Sequence, residues 1–464
     1  MEEINNVRMK ELTLPNIGVP QQQPIIPDGR YAQRLSILRA AMHAEGLNSV
    51  VIYADREHYA NFKYYVGFEP RFEEGILIVH LSDPSYIILG NECCPMHRYA
   101  KLKVKPLLSQ ALSLPGQPMD KHIPLDDLFR TAGIEKGRKI GIIGWKYFTD
   151  AHGDFLNMFD LPAFILDALK EAAGRDELIN ATGLLINPDT GLRTISSADE
   201  IAVFEYGAAW ASVGVHTLLQ NIRPGMTEQQ LAEYLITRGM QQSCHPMCLG
   251  GSSVDKGMIS PSTNVVQRGD PFIVSIGLEG GLTCREGYLV ENVDELPEVL
   301  RGYIEEFAKP YYAAIASWYS TIGIGVTGGE LYYVVDQIIP KKKFGWALNP
   351  GHLIGIEEWL SSAIAPGSEV TFKSGMTVQM DIIPRSDLYC GVNAEDGVAL
   401  ADETLRNELA QKHPATWNRI QARRKFMAEE LGIVLKPEVL PLSNMTGIYC
   451  PLLMRPSYGF VMEK

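Results

Sequence analysis

Apolar positions in the first part of the chain switch between helical and strand spacing. The stretch YAQRLSILRAAMHAEG has apolar residues three and four positions apart from Leu35 to Met42, which predicts an amphipathic helix that ends near Gly46. The apolar runs VVIYA and GRKIGIIGW predict buried strands, and GILIVHL with SYIILG predicts a hairpin. We therefore expect an α/β domain with a mixed sheet over residues 28–177.

From residue 178 onward, long amphipathic helices alternate with strand-like runs. Two capping boxes, Ser197 with Glu200 and Thr227 with Gln230, predict helix starts. The runs FIVSIGL, TCREGYLVE, MTVQMDIIP and DGVAL predict an antiparallel sheet. We expect an α+β domain over residues 178–464, ending in an apolar C-terminal tail. Residues 1–27 are polar and rich in proline, which predicts an arm on the surface or across a partner subunit.

The composition disfavours some classes of binding partner and favours one cellular compartment. A net charge of -13 disfavours nucleic acid and anionic membranes as partners. We find no signal peptide and no apolar run long enough to span a membrane. Seven cysteines, an odd number, favour free thiols in the cytoplasm. The compact segment CHPMC, from Cys244 to Cys248, lacks a second thiol pair, so we interpret it as small buried thiols near a helix end rather than a metal site.

Four side chains at the ends of apolar runs are candidate metal ligands or acid/base groups. They are Glu286, His352, Asp381 and Glu395. One imidazole and three carboxylates can hold a divalent ion, or transfer protons without one. Without an ion such a cluster is costly, because the carboxylates repel one another. The remaining alternative is that His352 hydrogen-bonds Glu395 or Asp381 within a satisfied polar core.

The order of several short motifs resembles that of the pita-bread metallopeptidases, a family that includes aminopeptidase P, prolidase, methionine aminopeptidase and creatinase. The motifs are RTISSADEIAVF, RPGMTEQQLA, VVQRGDPFIVSIG, NPGHLIG, SGMTVQMDIIP and AEDGVAL, and the resemblance covers about residues 30–405. It implies a creatinase-like α/β N-terminal domain with a mixed sheet, an α+β pita-bread C-terminal domain, and a homodimer.

The resemblance also implies a two-metal site, from which this sequence departs. The five ligand positions of the family carry Ser275, Glu286, His352, Asp381 and Glu395. Because a neutral serine is a poor ligand for a hard divalent ion, we expect the metal that depends on it to be absent. The other four positions remain competent for a single ion of Mn, Zn, Fe or Co. The alternative is a degenerate site without metal.

Four more residues are candidates for binding substrate, in addition to Ser275. Two further histidine positions of the family carry Ile259 and Trp359. Trp359 would wall a pocket for an apolar or cationic substrate, or plug the cavity. Arg285 would clamp a substrate carboxylate, or form a structural ion pair. Arg71, in YYVGFEPRFEEG, would reach the pocket rim across a dimer, or lie in a plain surface loop.

A thiolate nucleophile activated by His352 is a further alternative, with Cys284 or Cys390 as the thiol. We disfavour it, because we expect strand alternation to direct these neighbours of the ligands to the other face.

Three functions follow from this resemblance. The first is a hydrolase that cleaves an amide-like C–N bond of a small molecule or short peptide, with one divalent ion to activate water and a carboxylate as general base. The second is a metal-free hydrolase or lyase of the creatinase type, with His352 as acid/base. The third is a non-catalytic binding relative, so enzymatic activity itself stays open. Ser275, Ile259 and Trp359 disfavour ordinary Xaa-Pro peptidase activity.

Overall fold

The computed structural model describes residues 2–235, 238–257 and 259–463. The chain divides into two compact units. The smaller unit is Ile26–Arg193, and the larger unit combines Met1–Ile25 with Thr194–Lys464. Residues 178–193 therefore lie in the smaller unit by their contacts.

The strands of the described residues form three sheets. In chain order they are β1 (Val7–Glu11), β2 (Ser49–Ala54), β3 (Gly75–His80), β4 (Ser85–Leu89), β5 (Val104–Leu108), β6 (Ile140–Ile143), β7 (Leu178–Asn180), β8 (Gln242–Gly250), β9 (Pro271–Leu278), β10 (Gly281–Tyr288), β11 (His352–Leu353), β12 (Thr377–Met380), β13 (Asn393–Leu400), β14 (Val439–Pro441) and β15 (Tyr458–Met462).

The α-helices of the described residues flank these sheets or connect their strands. In chain order they are α1 (Glu2–Asn5), α2 (Asp28–Ala44), α3 (Ala60–Val66), α4 (Leu125–Thr131), α5 (Ala163–Ala173), α6 (Gly183–Ile186), α7 (Ala198–Asn221), α8 (Glu228–Ala232), α9 (Lys309–Thr321), α10 (Gly328–Ile338), α11 (Lys341–Phe344), α12 (Glu403–Lys412) and α13 (Pro414–Glu429). A search of the described residues finds no helix with the length and apolar character needed to cross a membrane.

The smaller unit contains the mixed sheet that the sequence predicts. Its six strands run in the order β5-β4-β3-β2-β6-β7. Strand β2 pairs antiparallel with β3 and parallel with β6, and β3 and β4 form the predicted hairpin. Every residue of β2 and β6 is buried, as expected for continuous apolar runs that are covered on both faces. Helix α2 buries Leu38 and Met42 and ends just before Gly46, as the spacing predicts.

The larger unit contains the predicted antiparallel sheet, which has seven strands. They run in the order β11-β12-β13-β10-β9-β8, with β14 added beside β13. Both capping boxes are confirmed: Ser197 accepts from the Glu200 N–H at the start of α7, and Thr227 accepts from the Gln230 N–H at the start of α8. Helix α7 packs on β9 and β10, and its buried face joins the core around Phe272.

The N-terminal segment packs on the C-terminal tail of its own chain. Strand β1 pairs antiparallel with β15 along its whole length. Farther on, the Trp210 indole donates to the Pro20 carbonyl at 3.0 Å, and the Asn444 amide donates to the Gly18 carbonyl at 3.1 Å. These contacts lie within the chain, and most side chains of residues 8–27 are exposed or partly exposed. Pairing with β15 satisfies the backbone groups along one edge of β1.

Candidate metal centre

Adjacent strands of the larger sheet bring chemically active side chains onto one face. Ser275 of β9 lies opposite Cys284 of β10, and Cys284 lies opposite Glu395 of β13. Because directly opposed residues in antiparallel strands share a face, these three side chains belong to the same side of the sheet. His352 of β11 lies opposite Gln379 of β12, and Asp381 directly follows β12.

His352, Asp381 and Glu395 converge into one buried group. One ligand atom of each lies within 4.8 Å of the other two. Each residue also carries a buried atom that has no hydrogen-bond partner: Nε2 of the histidine, Oδ1 of the aspartate and Oε1 of the glutamate. Orphaned polar atoms cost free energy when buried, and one cation would satisfy all three. An imidazole and two carboxylates therefore fit a single divalent ion of the borderline or hard type.

Burial and the charges of neighbouring groups shift the pKa values of all three members of the group. Burial raises the pKa of Glu395 well above its usual range, and the negative charge of Asp381 adds to the effect. Burial also raises the pKa of Asp381, against the opposing influence of His352. Burial alone would lower the pKa of His352, but the surrounding carboxylates, Glu358 foremost, raise it well above normal. In each case the shift favours the protonated form, and a cation bound to these atoms would act in the opposite direction.

The fourth predicted ligand, Glu286, lies apart from this group. It shares the face, but it stands two residues beyond Cys284 on β10, about 7 Å along the strand from the position opposite Glu395. Its carboxylate lies against Gly391, where a Cβ atom would overlap both carboxylate oxygens. Burial raises the pKa of Glu286 to about 7, and the Gly391 N–H works in the opposite direction. The structure thus brings together three of the four predicted ligands.

Glu358 is a member of this site that our sequence reasoning missed. Its Oε1 lies 3.1 Å from Nε2 of His352, closer than the 3.8 Å that separates this Nε2 from Oε1 of Glu395. The sequence signal for it is the acidic pair in GIEEW, six residues after the histidine of NPGHLIG. The next residue, Trp359, stacks on the His352 ring with the centroids 4.0 Å apart and the planes at 17°. The indole is 41% exposed, so it forms a wall at the solvent side of the imidazole.

Arg285 lies on the opposite face of the sheet, and its interactions match the ion-pair alternative. Its Nη2 lies 2.5 Å from Oδ2 of Asp396, and the two side chains are almost fully buried. The guanidinium also donates to the backbone carbonyls of Cys284, Glu395 and Met445. These contacts hold β10, β13 and the C-terminal tail together.

The other candidates for substrate binding have different surroundings. Ser275 is fully buried, and its hydroxyl has no hydrogen-bond partner. Ile259 is 38% exposed, between Gly257 and Ser262. The buried Glu228 carboxylate anchors the end of that loop, because it accepts from the backbone and side chain of Ser262. Arg71 belongs to the smaller unit, where its guanidinium lies 5.4 Å from the centre of the Tyr59 ring.

The position of Cys284 contradicts our expectation from strand alternation. Cys284 lies on the face of the site, because it is two residues from Glu286 and directly opposite Glu395. Burial nevertheless raises the pKa of its thiol well above normal, and nearby carboxylates raise it further. Burial likewise raises the pKa of the Cys390 thiol. Neutral thiols are poor nucleophiles, so a thiolate mechanism stays disfavoured. Cys244 and Cys248 lie on β8, and Cys248 is buried three residues before a short 3₁₀-helix that begins at Gly251.

Comparisons with known proteins agree with this fold. Residues 204–404 match the family model for Metallopeptidase family M24. The chain is 24% identical over 227 residues to the Uncharacterized peptidase YqhT of Bacillus subtilis (strain 168). That alignment covers 46% of this chain and 62% of the relative, so the chain spans less than two thirds of the relative's length.

Solved structures show the same two-domain fold. The Xaa-Pro dipeptidase from Bacillus anthracis superposes with a TM-score of 0.61 at 18% identity, covering 80% of this chain and 96% of that one. The prolidase from Pyrococcus furiosus gives 0.60 at 19% identity, with 78% and 96% covered. Aminopeptidase PepP of Pseudomonas aeruginosa gives 0.54 at 16% identity, with 84% and 99% covered. The predicted pita-bread fold and the resemblance that led to it are confirmed.

Proposed function

We propose that this chain hydrolyses an amide-like C–N bond of a small molecule or short peptide with at most one divalent ion. The match of residues 204–404 to the model of Metallopeptidase family M24 supports this proposal. The observation that carries the proposal is the convergence of three orphaned atoms from His352, Asp381 and Glu395. Mn, Zn, Fe and Co all suit this donor set.

The residues around the cluster do not suit a second ion. Two-metal sites hold their ions about 3.5–4 Å apart and share ligands between them. Here the neutral Ser275 hydroxyl occupies one position, and the Glu286 carboxylate lies against Gly391. Neither side chain offers a charged ligand to a neighbouring ion, which supports one ion at most.

The residues of the cluster have separate tasks in such a hydrolysis. A divalent ion held there would supply Lewis-acid catalysis to a carbonyl group and to water. His352 is held by stacking on Trp359 and by its Nδ1, which lies 3.2 Å from the Leu353 carbonyl oxygen. Donation from Nδ1 to that oxygen leaves the Nε2 lone pair directed to the cluster. The carboxylate oxygen of Glu395 that does not hold the ion can take a proton from water and pass it to the leaving nitrogen.

A metal-free hydrolase or lyase is the second candidate function. The observation that favours it is the short distance between His352 and Glu358, together with the raised pKa of the imidazole. An imidazolium next to three carboxylates is already neutralised and can act as a general acid without an ion.

Turnover of a substrate panel tests both candidates. The panel contains Xaa-Pro dipeptides, longer Xaa-Pro peptides and small amides or guanidino compounds, each assayed with chelator and with Mn²⁺, Co²⁺ or Zn²⁺. We expect ion-dependent hydrolysis of a small amide, little cleavage of Xaa-Pro peptides, and a loss of about 10²-fold or more in kcat for Glu395→Gln. Glu403→Gln, an exposed change in α12, is the control and should retain activity.

The other outcomes separate the alternatives. Turnover in chelator that is lost in His352→Asn would favour the metal-free candidate. Rapid release of the N-terminal residue from Xaa-Pro peptides would contradict the expected departure from ordinary peptidases. No turnover of any substrate under any condition would contradict both enzymatic candidates and leave binding without catalysis.

We further propose a homodimer in the cytoplasm. The resemblance to the pita-bread enzymes supports the dimer. The cytoplasm is supported by seven cysteines that are all unpaired, because thiols stay reduced there. Light scattering after size exclusion should give twice the chain mass of 51.5 kDa, and a value for one chain would contradict the dimer.

A further inference from the structure

Asn393 is a buried amide on the same face of the sheet as the metal cluster. It lies two residues before Glu395 on β13, so the two side chains share a face. Two residues of an extended strand span about 7 Å, which separates the two positions along the strand. Asn393 is only 3% exposed, and its Oδ1 has no hydrogen-bond partner. A buried oxygen without a partner costs free energy, and a ligand with a suitable donor would offset that cost.

A second carboxyl group lies on the far side of Asn393 from the cluster. Glu286 of β10 is directly opposite Asn393. Its carboxylate lies against Gly391, two residues before Asn393, whereas Glu395 lies two residues after it. Polar groups therefore follow one another along β13 and the residues that lead into it: the cluster, the amide and then the second carboxyl group.

The Glu286 carboxyl group has uncharged neighbours across the sheet. They are Asn393 on β13 and Ile273 on β9. Burial raises the pKa of Glu286 to about 7, the Gly391 N–H opposes it, and no lysine or arginine of the described residues contributes. Buried carboxylates are normally paired with a cation. A ligand that suits both this carboxyl group and the Asn393 oxygen therefore has a positive charge and N–H donors.

We propose that Asn393 and Glu286 form a subsite for a primary ammonium group of the substrate. The three N–H donors of an ammonium match two neighbouring acceptors. Glu286 and Glu395 are each 6% exposed, so a substrate that reaches the cluster reaches the depth of the subsite as well. The inference rests on the proposed function for the identity of this ligand as a substrate, which would be an amide with a terminal amine.

The spacing along β13 gives the length of such a substrate. With the carbonyl group at the cluster and the ammonium at Asn393, the two groups are about 7 Å apart. A fully extended chain spans about 3.3–3.6 Å for every three backbone bonds, so about six bonds join the carbonyl carbon to the nitrogen. The compound 6-aminohexanamide has this length, and hexanamide is the matched compound without the amine.

The test is a calorimetric titration of the purified chain with 6-aminohexanamide and with hexanamide, in Mn²⁺ and again in chelator. The variants are Glu286→Gln and Asn393→Leu, which approximately keep the size of each side chain. Glu403→Gln, an exposed change in α12, is the control. Circular dichroism verifies that each variant is folded.

We expect the wild type and the control to bind 6-aminohexanamide about tenfold or more tightly than hexanamide, as for a hydrogen bond to a charged group. Glu286→Gln and Asn393→Leu should lose most of this preference and keep the affinity for hexanamide. Thermal melting gives a second measurement. Because Asn393→Leu removes a buried oxygen without a partner, it should leave Tm unchanged or raise it, whereas the loss of a structural amide would lower it.

Equal affinities of the wild type for the two compounds, or binding of neither, would overturn the subsite. A folded Glu286→Gln that keeps the preference would also overturn it, as would an Asn393→Leu variant that melts lower and keeps the preference. These results are separate from turnover. If the amine strengthens binding but no amide is hydrolysed, the proposed function fails and the subsite remains. If amides are hydrolysed and the amine has no effect on binding, the subsite fails and the proposed function remains.

Discussion

A buried ion network that joins α7 to α13 should contribute much of the stability of the larger unit. Glu205 of α7 is fully buried, and its two oxygens accept hydrogen bonds from Arg419 at 2.9 and 2.6 Å and from Arg423 at 2.6 Å. Removal of the negative charge by Glu205→Gln leaves two guanidinium groups without their counter-ion, and Arg423 is itself only 2% exposed. Loss of one partner of a buried pair costs about 3–5 kcal/mol of the free energy of unfolding.

Urea unfolding followed by tryptophan fluorescence measures this change, since most of the six tryptophans report on the larger unit. Those in the larger unit are Trp210, Trp318, Trp346, Trp359 and Trp417. With a slope of about 3 kcal/mol per M, a loss of about 3–5 kcal/mol lowers the midpoint by roughly 1 M or more.

The control is the same substitution in an exposed pair. Glu408 of α12 lies 2.7 Å from the Lys412 ammonium, and both side chains are 40% exposed or more. Glu408→Gln should change the free energy of unfolding by less than about 1 kcal/mol. If Glu205→Gln shifts the midpoint no further than this control does, the stabilising role of the buried network is refuted.

Three more predictions follow from close packing and burial. Gly207→Ala places a Cβ against a backbone carbonyl of the β9–β10 turn and should lower the free energy of unfolding by about 1–3 kcal/mol, measured by thermal melting. Gly29→Ala, which has open space around the added Cβ, should leave the free energy of unfolding unchanged. Arg285→Met should lower the free energy of unfolding by about 3–5 kcal/mol, because it leaves the buried Asp396 carboxylate without its cation. An unchanged free energy of unfolding would argue against a structural ion pair. Burial raises the pKa of the Cys284 thiol, so it should resist a disulfide reagent at pH 8 until urea is added; rapid labelling in the native state would contradict this.

The sequence predicts the fold well, because its signals are local. Continuous apolar runs such as SVVIYA become strands that are buried on both faces, and the capping boxes at Ser197 and Thr227 start helices where expected. The face of the antiparallel sheet also follows from alternation, since Ser275, Cys284 and Glu395 lie directly across from one another. Alternation also places Cys284 on this face, because it is two residues from Glu286 and not its immediate neighbour.

The details of the site depend on contacts between segments that are distant in sequence. The Glu286 carboxylate lies against Gly391, a residue that follows it by more than 100 positions. The turn that carries Glu358 is held from a distant hairpin, because the Gly280 N–H donates to the Gly355 carbonyl at 2.9 Å. Neither contact leaves a periodic pattern along the chain, so the ligand types could be predicted but not which carboxylates converge.

The most direct test of the metal centre is the metal content of protein purified without chelator. The convergence of His352, Asp381 and Glu395 predicts about one divalent ion per wild-type chain and none in a folded Glu395→Ala variant. Two ions per wild-type chain would contradict the single site. No ion, even after incubation with Mn²⁺ and Zn²⁺, would contradict the metal centre itself.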